Sequence, residues 1–213
     1  MNTAAWLVLA VTAAVAVVDW IAVVHSSTRL EYAAKPLVMA GLIAVALVLD
    51  PVSPLERDLF LIALALGLVS DVFLMLPGDL LLPGLVAALV EHVAYIAGFR
   101  ARAFDGRWLI AGAVIAVASA AVFVPIYVRA LRQKQPKLVG PVLAYVAVFI
   151  VMVASAGGTG SLVALAGALL FFYSDALLGW YRFVGPLSWG RPANIVAYHA
   201  GQALLALSLA TTR

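Results

Sequence analysis

Long apolar runs alternate with short polar clusters along the whole chain. A helix that crosses a bilayer needs roughly 20 mostly apolar residues. Runs of about that length, bounded by Pro, Gly or charged residues, lie at about 4–24, 36–49, 59–76, 81–99, 108–128, 138–155, 161–181 and 193–211. The pattern therefore predicts an all-α integral membrane protein with eight transmembrane helices in a single transmembrane domain. The second helix is predicted to begin at Lys35-Pro36, because proline loses no hydrogen bond in the first turn.

The composition strengthens the membrane interpretation. The chain of 213 residues is 66% hydrophobic and 11% charged, whereas soluble domains are about 45–50% apolar and about 25% charged. The net charge of +3 resides in basic clusters between apolar runs, which is typical of membrane topology signals and not of a nucleic-acid partner. The absence of cysteine excludes disulfides, thiolate metal sites and a cysteine nucleophile. The first run lacks the basic flank of a signal peptide, so we expect a retained helix.

Short motifs recur at an offset of about half the chain. The pair Ser70-Asp71 is followed 104 residues later by Ser174-Asp175, and VAYIAG at 93–98 is followed 103 residues later by VAYHAG at 196–201. Proline residues repeat at nearly the same offset. These matches predict an internal duplication.

The duplication predicts two repeats of four helices, about 1–105 and 106–213, that run in the same direction through the membrane. Asp71 and Asp175 would then lie at matched depth, about 8–9 Å below one surface. Counting residues from the predicted helix ends in the same way places most other intramembrane polar residues in that leaflet, namely Asp19, Lys35, Glu91, His92, Tyr198, His199 and Gln202. We therefore expect a polar cavity open to one leaflet and an opposite leaflet almost free of polar side chains.

The basic residues indicate an orientation for this cavity. Eight Lys and Arg residues flank the cavity side, namely Arg29, Lys35, Arg129, Arg132, Lys134, Lys137, Arg182 and Arg191. Five flank the other side, namely Arg57, Arg100, Arg102, Arg107 and Arg213. The positive-inside rule then favours a cytoplasmic cavity and an exterior N-terminus. The abundance of Ala, Val, Leu and Arg is typical of a GC-rich bacterial genome, which indicates the bacterial inner membrane.

Asp71 and Asp175 are the leading candidates for chemistry. An ionised Asp in hydrocarbon costs at least about 2.5–3.5 kcal/mol, so an intramembrane carboxylate is a functional candidate. The alternative is that each helix ends early and its carboxylate reaches the interface, but the recurrence of the Ser-Asp pair argues against it. Two carboxylates facing each other in a cavity share one proton readily. Such a pair is suited to acid-catalysed hydrolysis through a cationic intermediate.

The remaining polar residues are candidates for substrate binding, namely Lys35, Ser70, His92, Tyr95, Ser174, Tyr198, His199 and Gln202. The alternative for several of them is a bond between neighbouring helices, and the two serines can bond their own preceding turn. We expect Asp19 to pair with Lys35 or His25. Glu91 and His92 are adjacent on one helix, so at most one of them faces a given cavity. The three histidines lie on three helices without an HxxxH pair, so we expect no metal and no cofactor.

The ordered set of motifs resembles the YhhN family of lysoplasmalogenases. It comprises KP at 35–36, SD at 70–71, EHVAYIAGF at 91–99, GALLFFYSDALLG at 167–179 and YHAGQALLA at 198–206. The chain departs from the family at Ala88, where an aromatic residue is frequent, and at Ser70, where glycine is common. The resemblance implies hydrolysis of the vinyl ether bond of a lysoplasmalogen, a lysophospholipid, to a fatty aldehyde and a glycerophospho-ethanolamine or -choline. It also implies that Asp71 and Asp175 are catalytic and that Lys35, His92, Tyr95, Tyr198 and Gln202 orient the substrate.

Two other classes of function stay open. A small-molecule or proton-coupled transporter would use the Asp pair as a proton relay, and would need polar residues in the second leaflet as well. A metal-dependent membrane lipid amidase would need convergent histidine ligands. Membrane lipids are the expected surroundings, and the residues do not indicate an oligomeric state.

Overall fold

The computed structural model describes residues 2–78 and 80–210, and these residues are almost entirely helical. The α-helices are α1 (Thr3–Val24), α2 (Thr28–Val48), α3 (Pro54–Met75), α4 (Leu81–Phe99), α5 (Gly106–Lys134), α6 (Val139–Gly158), α7 (Leu162–Gly179) and α8 (Gly190–Ser208). A 3₁₀ turn, Pro136–Leu138, precedes α6, and a π-helical turn, Trp180–Val184, follows α7. The predicted all-α class is confirmed. Arg213, counted above among the basic residues, lies outside the described residues, as does Asp79.

Side-chain caps set the starts of several helices. Ser53 Oγ accepts the Glu56 N–H at 3.3 Å, and Asp105 Oδ1 accepts the Arg107 N–H at 2.7 Å. Such caps satisfy backbone donors that have no partner inside the helix. As a result α3 begins at Pro54 and α5 at Gly106, ahead of the predicted starts at 59 and 108.

The prediction that α2 begins at Lys35-Pro36 is wrong. The helix begins at Thr28, after Ser27, and Pro36 lies inside it. The segment that precedes the proline contains good helix formers, and a helix inside a membrane protein tolerates proline when its neighbours support the freed carbonyl. Lys35 therefore lies two turns inside α2 instead of at its first residue, which brings its ammonium group deeper into the bundle.

Among the described residues, seven helical segments are long and apolar enough to cross a membrane, by length and composition. They comprise α1 to α5, the segment Pro136–Gly158 and the segment Leu162–Val184. The remaining helix, α8, is the most polar of the bundle, and its crossing stays a prediction. Its two ends nevertheless reach opposite faces of the molecule: Arg191 contacts Glu31 of α2, and the carbonyl of Ser208 contacts Arg102, which follows α4.

Consecutive helices pack as antiparallel hairpins, α1 with α2, α3 with α4, α5 with α6 and α7 with α8. Further contacts join α2 to α3, α6 to α7, α4 to α6 and α2 to α8. The starts of α2, α4, α6 and α8 consequently share one face with the ends of α3 and α7. The contacts of α2 with α3 and of α4 with α6 correspond to those of α6 with α7 and of α8 with α2, as expected for two related halves of four helices. The repeat arrangement itself stays a prediction.

The face away from these helix starts carries a buried ion pair between Glu56 and Arg102. Glu56 is fully buried, and its Oε1 lies 3.3 Å from Arg102 Nη1. The same Nη1 donates to the Ser208 carbonyl at 3.3 Å. The expectation of an almost apolar second leaflet therefore needs this correction: an ion pair joins α3, the loop after α4 and α8 near the opposite surface.

Candidate active site

A cavity of about 730 Å³ opens at the face that carries the starts of α2, α4, α6 and α8. Both carboxylates that the sequence singled out, Asp71 and Asp175, line it. The other polar residues of its wall are Thr28, Glu31, Tyr32, Lys35, Ser70, Glu91, Tyr127, Tyr145, Ser174, Tyr181, Arg182, Arg191, Asn194 and Tyr198. Its size is typical of small-molecule sites, which are about 300–1,000 Å³.

Asp71, near the end of α3, is held by one cation and one phenol. Lys35 Nζ lies 2.8 Å from Asp71 Oδ1, and the Tyr198 hydroxyl donates to Asp71 Oδ2 at 2.8 Å. The Lys35 ammonium also lies 5.2 Å from the centre of the Tyr198 ring, within reach of a cation–π interaction. The side chain of Asp71 is 6% exposed. Helices α2, α3 and α8 thus converge on this carboxylate through charge-assisted hydrogen bonds.

Asp175, near the end of α7, has a different partner. The Tyr145 hydroxyl of α6 donates to Asp175 Oδ2 at 2.5 Å. Within the described part of the chain, a neutral phenol and not a cation is hydrogen-bonded to this carboxyl group. Asp175 and Asp71 line the same cavity, so the two acidic groups belong to one site. The two positions related by the sequence repeat are therefore chemically unequal.

The serine that precedes each aspartate ties its helix to the next one. Ser70 Oγ donates to the Gly84 carbonyl of α4 at 2.9 Å. Asn194 Nδ2 of α8 donates to the Ser174 carbonyl at 2.7 Å and to its Oγ at 3.1 Å. The alternative that Ser70 bonds its own preceding turn is wrong, because its hydroxyl reaches across to a neighbouring helix. Both serines line the cavity and fix the aspartates that follow them.

Glu91 is a third carboxyl group in the cavity wall. Gln202 Nε2 donates to Glu91 Oε1 at 2.6 Å, and the Tyr95 hydroxyl donates to Gln202 Oε1 at 2.6 Å. A Cβ atom at Gly67 of α3 would lie 2.6 Å from Glu91 Oε1, so the glycine provides the space for this carboxyl group. Tyr95 and Gln202 stand behind the wall and hold Glu91.

His92 takes the other side of α4. Its Nδ1 is hydrogen-bonded to the Ala88 carbonyl, and its ring centre lies 4.1 Å from that of Phe149 on α6. Of the two adjacent residues, Glu91 lines the cavity and His92 packs between helices. This agrees with the expectation that at most one of them faces a given cavity.

His199 lies behind the cavity beside Asp19 of α1. Trp20 Nε1 donates to His199 Nδ1 at 3.1 Å, so Nε2 carries the hydrogen of the neutral ring. This Nε2 lies 3.8 Å from Asp19 Oδ2. The predicted pairing of Asp19 with Lys35 or His25 is therefore wrong, because Lys35 contacts Asp71 and His25 is exposed.

Three residues described above in the site, Glu91, Tyr145 and Asn194, were absent from the sequence-based candidates. Asn194 precedes Tyr198 by one helical turn, a spacing that puts both on one face of α8. Tyr145 is an isolated polar group on an apolar helix, and its pairing with Asp175 depends on how α6 meets α7. Among the described residues, no group of three or more acidic and histidine side chains is arranged to hold a metal ion.

Comparisons with known proteins agree with the sequence motifs. A family model described as the YhhN family matches residues 30–209. The human protein named lysoplasmalogenase TMEM86B is 31% identical over 150 residues, which cover 68% of this chain and 61% of that protein. The chain thus spans less than two thirds of that relative's length. No solved structure matches the chain.

Proposed function

Because the chain belongs to the YhhN family, we propose that it is a membrane hydrolase that cleaves the vinyl ether bond of a lysoplasmalogen. The products would be a fatty aldehyde and a glycerophospho-ethanolamine or -choline. The human relative carries the name of this activity. Several helices that can cross a membrane surround the cavity, as a lipid substrate requires.

The observation that carries the proposal is that Asp71 and Asp175 line one cavity with unequal partners. Hydrolysis of an enol ether needs a proton donor for carbon and a base for water. An ammonium group and a phenol bonded to Asp71 favour its ionised form. Asp175 lies in the same cavity with a neutral partner, Tyr145. We therefore assign the acid role to Asp175 and the base role to Asp71.

In the first step the Asp175 carboxyl group donates its proton to the β-carbon of the vinyl ether. The double bond becomes a single bond, and positive charge develops on the α-carbon and the ether oxygen. The Asp71 carboxylate stabilises this oxocarbenium ion and removes a proton from the water that attacks the α-carbon. The product of this step is a hemiacetal.

The hemiacetal then collapses. Its carbon–oxygen bond to the glycerol breaks, and the departing oxygen takes the proton from Asp71. The hemiacetal hydroxyl gives its proton to Asp175 as the aldehyde carbonyl forms. One water is consumed, and both carboxyl groups return to their starting states.

The other candidate residues divide into two groups. Lys35, Tyr198, Ser70 and Ser174 line the cavity and are proposed to hold the ether oxygen, the head group or the two aspartates. Tyr95, His92, His199 and Gln202 are proposed to act from behind the wall, since their hydrogen bonds and ring contacts go to other protein groups. The two halves, about 1–105 and 106–213, are proposed to be repeats whose chemistry has diverged, with a cation on one aspartate and a phenol on the other.

The test is aldehyde release from a lysoplasmalogen by purified protein, with a saturated alkyl lysophospholipid as the negative substrate. We expect Asp71→Asn and Asp175→Asn each to lower kcat by about 10²–10⁴-fold, the range typical of general acid–base catalysis. Asp58→Asn, which removes an exposed carboxylate at the start of α3, is the matched control. Wild-type rates from both cavity variants would exclude the proposed roles.

A further inference from the structure

The cavity is open at its mouth, where Tyr32, Tyr181 and Arg191 line it and are exposed, and also on the flank between α4 and α6. Leu82 and Val86 of α4 line the cavity and yet are 69% and 52% exposed. Pro141 and Ala144 of α6 also line the cavity and are exposed. Residues that face both the interior of a cavity and the outside of a bundle mark the edge of an opening. The edges on both helices lie near their first turns, so the opening is in the cavity leaflet.

The opening ends where α4 and α6 come into contact. His92 of α4 packs against Phe149 and Tyr145 of α6, with ring centres 4.1 and 5.2 Å apart. At 1.5 Å per helical residue, the edge from Leu82 to this contact is about 15 Å long. This contact between α4 and α6 therefore closes the inner end of the opening, which leaves a slot about half a membrane deep.

The flank between α2 and α8 is closed by polar contacts. Arg191 Nη2 of α8 contacts Glu31 Oε1 and Oε2 of α2 at 3.0 and 2.9 Å. Further in, the Lys35 ammonium lies against the ring of Tyr198. An apolar chain would have to break an ion pair to pass on this side, whereas the edge residues described on the α4–α6 side, Leu82, Val86, Pro141 and Ala144, are all apolar. The two flanks thus differ in both chemistry and closure.

We propose that a single hydrocarbon chain enters the cavity sideways from the membrane, through the slot between α4 and α6. The hydrocarbon chain lies along Leu82, Val86 and Ala144. Its polar end meets the carboxyl groups of Asp71 in α3 and Asp175 in α7. Only the identity of the head group and of the cleaved bond rests on the proposed function. A two-chain phospholipid would leave its second chain outside, so the slot favours lipids with one chain.

The first test measures binding without turnover. The probe is a saturated alkyl lysophospholipid with a diazirine near the end of its chain, added to the protein in nanodiscs. We expect photolabelling of 81–89 and 141–149, mapped by mass spectrometry and reduced by excess unlabelled alkyl lysophospholipid but not by a two-chain phospholipid. Labelling that resists competition would mean surrounding lipid only, and labelling confined to α2 and α8 would place the entry on the other flank. Either result overturns the proposal.

The second test blocks the slot. Ala144→Trp places a large side chain at the edge, and Ala147→Trp places it on an exposed position of the same helix that does not line the cavity. We expect loss of the competable labelling in Ala144→Trp alone. On a long-chain lysoplasmalogen we expect KM to rise about tenfold relative to Ala147→Trp. If Ala144→Trp does not fold, Val86→Trp with Val90→Trp as control gives the same comparison.

The two proposals fail separately. Competable labelling at the slot without any aldehyde release would keep the entry route and exclude the proposed reaction. Aldehyde release with unchanged labelling and kinetics in both edge variants would keep the reaction and exclude the slot.

Discussion

The two aspartates show how much a single neighbour changes a carboxyl group. Both follow a serine near the end of an apolar helix, yet Asp71 contacts an ammonium group and Asp175 contacts a phenol. Both kinds of hydrogen bond favour the ionised form of a carboxyl group, but the cation favours it more strongly because it adds a full positive charge. This difference, and not the shared Ser-Asp motif, distinguishes the acid from the base in the proposed reaction.

Tyr145 is the residue whose role depends most on this difference. If Tyr145 orients the acid Asp175, then Tyr145→Phe should lower kcat about tenfold and change KM little, because the lost hydrogen bond matters for proton transfer. The control is Tyr173→Phe, which removes a phenol bonded to Ser119 at 2.8 Å on the same bundle but outside the cavity. The measurement is the steady-state rate of aldehyde release. Equal kcat in the two variants would remove Tyr145 from the mechanism.

At the scale of helices, glycine permits the close approach of α7 and α8. A Cβ atom at Gly201 would lie 2.8 Å from the Phe171 backbone nitrogen, and one at Gly167 would lie 2.9 Å from that of Leu205. Small residues at such contacts let helix backbones approach in membrane proteins. The contact sets the position of Tyr198, one turn before Gly201, against Asp71.

Gly201→Ala should therefore separate the two helices. We expect a loss of about 1–3 kcal/mol in the free energy of unfolding, as for other overpacked contacts, with lower activity in the protein that stays folded. Gly140→Ala on α6 is the control, since a Cβ atom there meets nothing within 4 Å. Thermal unfolding in detergent checks the stability. A Gly201→Ala melting temperature as high as that of the control would show that α8 has room to shift.

At the scale of the whole molecule, the cavity and the ion pair of Glu56 with Arg102 lie at opposite faces. The predicted orientation puts the cavity face in the cytoplasm. The charge asymmetry behind it is smaller than the sequence indicated, because Lys35 lies within α2 and not in a loop. The orientation therefore needs a direct measurement.

The absence of cysteine makes that measurement simple. Lys137 and Arg107 are exposed residues near the cavity face and the opposite face, respectively. We expect a membrane-impermeant maleimide to label Arg107→Cys in intact cells and Lys137→Cys only after the membrane is opened, because positive loops are retained in the cytoplasm. Each variant removes one positive charge, so they are matched. The reverse pattern would place the cavity on the outside.

Periodicity and polarity made some features of the site predictable and left others out of reach. Asp71, Asp175 and Lys35 stood out because a charge within an apolar run is rare. Tyr145 and Asn194 did not, because tyrosine and asparagine are common at contacts between helices. The positions of His92 and His199 behind the wall depend on the rotation of α4 and α8, which a short motif does not determine.

The sequence by itself determined the helical membrane class, the approximate spans, the family and the two recurring aspartates. Each of these follows from hydrophobic run length, from residue type or from motif order, which are local properties of the chain. The tertiary structure decided which groups meet: Lys35 with Asp71, Tyr145 with Asp175, and Asp19 with His199. It also decided that the cavity opens between α4 and α6, because an opening is a gap between helices distant in sequence. Such pairings depend on how each helix is rotated about its axis and how deeply it sits in the membrane. A run of apolar residues determines neither of these closely, because many rotations and depths bury it equally well.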